Sequence, residues 1–216
     1  MIDSSLFGVN MQKRLATDIF SEWAMIGKDE GMQKGHFNSV NEMLSIVDLS
    51  LKKGFSAIDV GCGNGWVCRR LSNDERCRKV VGIDGSEEMI RKAKSFDSDI
   101  DFYHALLPEW TPDEKFDLIH SMEFLYYLKK PLEMLKEFYE FWINPGGIFI
   151  AGIDFYLENE DSHGWPERLN VHMTKLSINE WEKGLLDAGF KNIEIHQVAS
   201  TNDFVGTLVL KGEKLK

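Results

Sequence analysis

The stretch Ala57-Ile58-Asp59-Val60-Gly61-Cys62-Gly63-Asn64-Gly65 decides the fold of this chain. Its apolar half reads as a buried strand, and the alternate glycines that follow form a turn too tight for side chains. Bare backbone there lets a ligand lie against the start of the next helix, which the periodicity of Trp66 to Leu71 places over 64–72. A second apolar strand, Lys79-Val80-Val81-Gly82-Ile83-Asp84, ends in an acid nineteen residues after Gly65. That spacing suits a carboxylate at the tip of the neighbouring strand, gripping the two hydroxyls of a ribose. An adenosine-containing cofactor is the first expectation.

The glycine spacing narrows the cofactor. A dinucleotide fingerprint, G-x-G-x-x-G, would need glycine where Trp66 stands, and that indole would crowd a pyrophosphate, so NAD is disfavoured. Neither Gly61 nor Gly63 is followed at the right distance by the Gly-Lys-Ser/Thr of a nucleoside triphosphate loop, so the ligand is expected to carry no phosphate. Asp-x-Gly-x-Gly-x-Gly at 59–65, with Asp84 closing the second strand, instead resembles the class I S-adenosylmethionine (SAM)-dependent methyltransferases. Phe116-Asp117-Leu118-Ile119 and Asn144-Pro145-Gly146-Gly147 are similar to that family's fourth strand and the turn before its fifth, and the resemblance covers roughly residues 55–211.

The resemblance implies an α/β Rossmann-like, seven-stranded, mainly parallel sheet of order 3-2-1-4-5-7-6, the last strand antiparallel, with helices on both faces. It also implies roles for residues of this chain. Asp59 and the backbone of Gly61 would hold the methionine ammonium end, and Gly63 and Gly65, flanking Asn64, would permit close approach. Asp84 would bind the ribose, while Gly85, Met89 and the stretch from His104 through Ala105 to Leu106 would border the adenine. Ser121 and Met122 would face the methionine part. The segment Tyr103-His104-Ala105-Leu106-Leu107-Pro108 departs from the family pattern, which often has an acid near the adenine amine. The structural alternative is that Asp59 and Asp84 merely cap the turns that follow them.

Composition bounds the rest. A chain of 216 residues can bury one large core. Its net charge of −10 makes it a poor default partner for nucleic acid or an anionic membrane, which are bound mainly by clustered Lys and Arg. No apolar run approaches the ~20 residues of a membrane span, and Met1-Ile2-Asp3-Ser4-Ser5 lacks a signal peptide's basic start, so a cytoplasmic protein is expected. Cys62, Cys68 and Cys77 lack C-x-x-C spacing. Histidines 36, 104, 120, 163, 172 and 196 show no compact ligand pairing, so no metal is expected.

Strands are expected near 55–60, 79–84, 100–104, 116–122 and 147–153, with later ones from Phe190 to His196 and Val205 to Lys211. Helices fall near 86–94 and 131–142, and Ser177 with Glu180 forms a capping box for a last helix ending at Gly189. One methyltransferase domain is expected over 1–216: an N-terminal helical lid over 1–51, a SAM-binding core over 55–211 and a substrate loop over 154–176. Gln12 to Leu51 reads as two amphipathic helices joined by the segment Gly27 to His36. That joint and the loop Asp154 to Leu176 are expected to close over the carboxyl ends of the strands, with Trp23 and Trp165 as apolar covering.

A small-molecule acceptor is expected, its O, N, S or C nucleophile open, with ubiquinone/menaquinone-type methyltransferases as the nearest general likeness. Candidates for the acceptor pocket are His36, Glu123, Tyr126, Tyr127, Tyr156, His163 and His172; of the adjacent tyrosines only one can face it. The Asn/Asp-Pro-Pro-Tyr/Phe motif of nucleic-acid amino-methyltransferases is replaced by Ser121-Met122-Glu123-Phe124, which disfavours base methylation. Other readings are a non-catalytic SAM-binding partner protein, a protein methyltransferase, and an NAD or nucleotide-sugar enzyme on a related sheet.

Overall fold

The computed structural model describes residues 12–216; Met1 to Ser5, read above for targeting, lie outside the described residues. The chain opens with helices α1 (Ala16–Met25) and α2 (Lys28–Asp48), then alternates β1 (Phe55–Val60), α3 (Trp66–Ser72), β2 (Cys77–Asp84), α4 (Glu87–Phe96), β3 (Asp101–His104) and β4 (Phe116–Met122). A 3-10 turn (Leu125–Tyr127), α5 (Pro131–Glu137) and a π turn (Phe138–Trp142) lead into β5 (Ile143–Ile153). After α6 (Trp165–Leu169) and α7 (Ile178–Ala188) come β6 (Lys191–Val198) and β7 (Thr207–Glu213).

These strands form one sheet of order β3-β2-β1-β4-β5-β7-β6, with β7 antiparallel to both its neighbours. The order implied by the resemblance is therefore the order found. Both faces are covered, which is why β1 is buried along all of its 6 residues. Ile58 and Val60 pack with Ile19, Leu135, Trp181 and Leu185 of α1, α5 and α7. Ala57 faces the other layer, with Val40 and Met43 of α2, Val67 and Leu71 of α3, and Ile90 of α4. α7 carries the expected capping box between Ser177 and Glu180, and stops at Gly189, whose φ is +111°.

Two expectations need correcting. The N-terminal joint is not a ten-residue segment from Gly27 to His36: α2 begins at Lys28, leaving only Ile26 and Gly27 between the helices. Glycines at 31 and 35 cost a helix about 1 kcal/mol each, but burial of Val40, Met43 and Val47 on the same helix outweighs this. The segment from 154 to 176 is also not an open loop. It carries a 3-10 turn and α6, is closed on itself by a backbone bond from Leu157 to Leu176, and docks by one from Thr174 to Tyr126. Among the described residues no helix is long and apolar enough to cross a membrane.

Asp117 fastens three strands at their amino ends. Its Oδ2 accepts from the backbone N–H and hydroxyl of Ser56 at 2.9 and 3.1 Å, and its Oδ1 accepts from the Asn144 side chain at 2.9 Å. Hydrogen bonds to a charged acceptor contribute about 1.5–3 kcal/mol each, less where water reaches them. Asp117→Ala is expected to lower unfolding free energy by roughly 2 kcal/mol or more, measured by urea denaturation, without changing ligand affinity at the opposite end of the sheet.

Candidate active site

The glycine turn after β1 has Gly61, Gly63 and Gly65 at φ of +76°, +54° and +76°, a backbone that side chains strain. Most of its N–H groups are spent within the protein. Those of Gly61 and Cys62 both donate to the Ile83 carbonyl at 2.9 Å, Gly65 to Cys62, and Trp66 to the Asn64 side chain. Gly63 donates to Oδ2 of Asp84 at 2.9 Å, while Oδ1 of Asp84 accepts from Ser86 at 2.7 Å. The turn thus lacks the ring of free N–H groups with which glycine loops cradle phosphates.

Above the turn, at the carboxyl ends of β1, β2 and β4, lies a cavity of about 920 Å³. One wall is Asp59, Gly61, Gly63, Asn64, Asp84, Gly85, Met89, Ala105 and Leu106. The other brings Phe20 of α1, His36 of α2, and Met122, Glu123 and Tyr127 from the end of β4 and the turn beyond it. A Cβ at Gly63 would meet nothing within 4 Å and so would project into open space.

Other residues named from sequence stand elsewhere. A Cβ on Gly65 would lie 2.6 Å from the Phe102 ring, so this glycine serves the packing of turn on strand and does not line the cavity. Ser121 donates to the Val60 carbonyl at 2.9 Å, is buried and does not line this cavity. His104 sits outside, its Nε2 3.0 Å from the Gly85 carbonyl. Tyr127 is the tyrosine at the cavity, and Tyr126 lies behind it, donating to Glu123 Oε2 at 2.7 Å.

The late segment does not cover the cavity. Tyr156 is buried and donates to the Gly206 carbonyl at 2.9 Å, His163 contacts the Leu157 carbonyl, and His172 contacts Thr174. Trp165 stacks on Phe155, and Trp23 packs edge-on to Phe20, so neither indole lines the cavity. Of 154–176 only Asp154 approaches the site, within 3.7 Å of His36 Nε2. Long connections suggest lids, but this one spends its length on buttressing the turn after β4. The cover comes from α1 and α2.

Two buried polar groups escaped sequence reasoning. His120 on β4 is fully buried, with Nδ1 donating to Oδ1 of Asp59 at 2.7 Å, while Cys68 contacts the other oxygen. Asp59 is therefore held from beneath the glycine turn and, at 2% exposed, shows the cavity little of its carboxylate. A histidine in an otherwise apolar strand was the available signal. Asp154 is buried at the carboxyl end of β5 beside Glu123, whose φ is +57°.

Burial pushes Asp84 up to about 6, against the pull of the Ser86 and Gly63 N–H groups. Burial also raises Glu123 well above the usual carboxylate range, and the nearby Asp154 adds to this. His36 is lowered, again by burial, with Asp154 opposing. For Asp84 the folded value exceeds the unfolded one near 4, so its contribution to stability is full below about pH 4 and is lost as pH rises through about 6.

A family profile described as a methyltransferase domain matches residues 30–195. The chain belongs to that family, whose methyl donor is S-adenosylmethionine. The trans-aconitate 2-methyltransferase of Escherichia coli (strain 55989 / EAEC) is 27% identical over 135 residues, 62% of this chain and 49% of that protein. The tRNA U34 carboxymethyltransferase of Haemophilus influenzae is 27% identical over 165 residues, 71% of this chain and 50% of its own length. The chain thus spans about half the length of these curated relatives. Among solved structures, the methyltransferase partner in a complex with the Haloferax volcanii Trm112 methyltransferase activator superimposes with a TM-score of 0.79 and 27% identity, over 91% of this chain and 98% of that one.

The two glycines give a paired test. Gly63→Ala is expected to fold with a cost of about 1–2 kcal/mol for the positive φ and to lose donor affinity, because the methyl group enters the cavity. Gly65→Ala is expected to cost more stability than Gly63→Ala, its methyl meeting Phe102. Thermal unfolding combined with calorimetric titration of S-adenosylmethionine separates the two effects.

Proposed function

We propose that this chain transfers the methyl group of S-adenosylmethionine to a small-molecule acceptor. The observation that carries the reading is the glycine turn with most of its N–H groups spent internally, an open face at Gly63 and a half-buried carboxylate at Asp84 on the cavity wall. Such a surface suits an adenosine ligand without phosphates. Asp84 would accept from the ribose hydroxyls with the lone pairs its two backbone donors leave free, and Met89, Ala105 and Leu106 would flank the adenine. Asp59, Gly61 and Asn64 border the place for the methionine end.

When bound, S-adenosylmethionine supplies a methyl group on a sulfonium, activated for in-line displacement by a nucleophile. The chain's own work is alignment and exclusion of water. Phe20, Phe124 and Tyr127 give the second half of the cavity apolar walls, and α1 and α2 cover it. Its lining holds seven acidic residues against two lysines, Lys129 and Lys130, so a neutral or cationic acceptor is favoured over one carrying several carboxylates. The trans-aconitate of the E. coli relative's name is an acceptor of the disfavoured kind.

A second reading, a SAM-binding partner protein without turnover, draws on the Haloferax neighbour's complex with an activator. Polar groups gathered around Glu123 at the acceptor end favour catalysis. Titration with S-adenosylmethionine, its demethylated product and NAD, followed by a screen of thiols, amines and phenols with the donor, separates the readings. Binding of the first two without NAD, together with turnover of one acceptor class, is the expected result; preferential NAD binding overturns the proposal.

Asp84 gives the pH dependence. Ligand-free Asp84 ionises around pH 6, and the charged form accepts from hydroxyls more strongly than the neutral acid. Donor affinity is expected to rise between about pH 5 and about pH 7. Asp84→Asn is expected to weaken binding at the upper end by about 1.5–3 kcal/mol and to flatten the profile, both read by calorimetry.

A further inference from the structure

We propose that His36, Glu123 and Asp154 form a binding site for a divalent first-row transition cation at the acceptor end of the cavity. The three residues come from α2, from just beyond β4 and from just beyond β5, and one ligand-capable atom from each lies within 4.8 Å of the other two. Nε2 of His36 is 3.7 Å from Oδ2 of Asp154. An imidazole with two carboxylates is a donor set that first-row divalent ions accept, and three protein ligands leave coordination positions open. His36 and Glu123 both line the cavity, so those positions face the space where an acceptor would lie.

A second observation points to an occupant. Asp154 is only 7% exposed, and its Oδ1 is buried without a hydrogen-bond partner. Among the described residues, neither Asp154 nor Glu123 has a lysine or arginine within ion-pair range; His36 is the one basic group at Asp154. A buried carboxylate with an unpaired oxygen, set beside a second, half-buried one, is costly unless protonated or bound to a cation. Burial lowers the proton affinity of His36, against the pull of Asp154, and a neutral imidazole is the form that ligates.

The surroundings also resemble a supported ligand set. Glu123 is aimed by the Tyr126 hydroxyl at 2.7 Å and by the Asp154 backbone N–H at 2.5 Å, as outer contacts orient metal-binding carboxylates. Resting on the methyltransferase reading, the cation would hold an acceptor hydroxyl or enol oxygen and lower its pKa. That oxygen would release its proton to solvent and attack the methyl carbon; the C–O bond forms, the C–S bond breaks, and sulfur keeps the electron pair.

The test uses the full chain, treated with chelator and free of methyl donor. Mn2+ alone is titrated in, with free ion followed by electron paramagnetic resonance and heat by calorimetry. One stoichiometric site is expected, and His36→Gln and Asp154→Asn should each weaken it by at least roughly 10–100-fold, the loss that even outer contacts of metal ligands cause. Glu87→Gln, on the exposed start of α4, should leave it unchanged. Absence of a stoichiometric Mn2+ site in the unaltered chain overturns the proposal, as does unchanged affinity in His36→Gln. If Asp154→Asn fails to fold by circular dichroism, His36→Gln, on the cavity wall, decides alone. Binding of S-adenosylmethionine is measured separately without metal, so failure of the cation site leaves the donor site standing.

Discussion

One carboxylate holds the working end of this fold together. Asp84 accepts from Gly63 through one oxygen and from Ser86 through the other, joining the turn after β1 to the start of α4. Its burial raises its proton affinity, yet the two N–H groups it satisfies would otherwise be orphans at the rim of a cavity. The bridge fixes Gly63 in the turn and Ser86, whose side chain in turn caps α4 at Met89. Beneath it, the buried pair of Asp59 and His120 braces the same turn from the sheet. Most polar groups of the donor half are thus bonded within the protein.

The acceptor half is built on the opposite principle. Around Glu123 the polar groups are crowded, buried and incompletely paired: Asp154 Oδ1 has no partner, and Glu123 stands at a positive φ that non-glycine residues seldom adopt. An unpaired carboxylate oxygen thus stands where a second molecule would arrive, whereas the carboxylate on the donor side has both oxygens bonded. Relatives matched by this chain carry names with different acceptors.

Much of the architecture was legible because it is written in short-range signals. Apolar runs such as Ala57 to Val60, the glycine turn, Ser177 with Glu180 and Gly189 each act within a few residues, and all are where the pattern placed them. The antiparallel insertion of β7 has no local signature and came through the resemblance. Gly31 and Gly35 misled because glycine reads as punctuation, whereas tertiary burial further along α2 carries the helix through them. Tyr156, His163 and His172 were drawn to the site by loop length alone, and their hydrogen bonds point elsewhere. The cluster of His36, Glu123 and Asp154 was illegible for a different reason: its members are far apart in the chain and meet only because β4 and β5 are parallel neighbours under α2.

α2 has one further property. Its first turns, with Asp29, Met32 and His36, roof the cavity, while Val40, Met43 and Val47 on the same 21-residue helix are fully buried against the sheet. Roof and foundation are thus one continuous rod, and tilting the first would pull the second from the core. α1 is anchored far more lightly, with Ile19 as its one buried side chain, and it meets α2 at Gly27. The two beams of the roof are therefore seated differently: the long one by its own far end in the core, the short one by side contacts from Ser21 to Ser86 and from Phe20 to Tyr127.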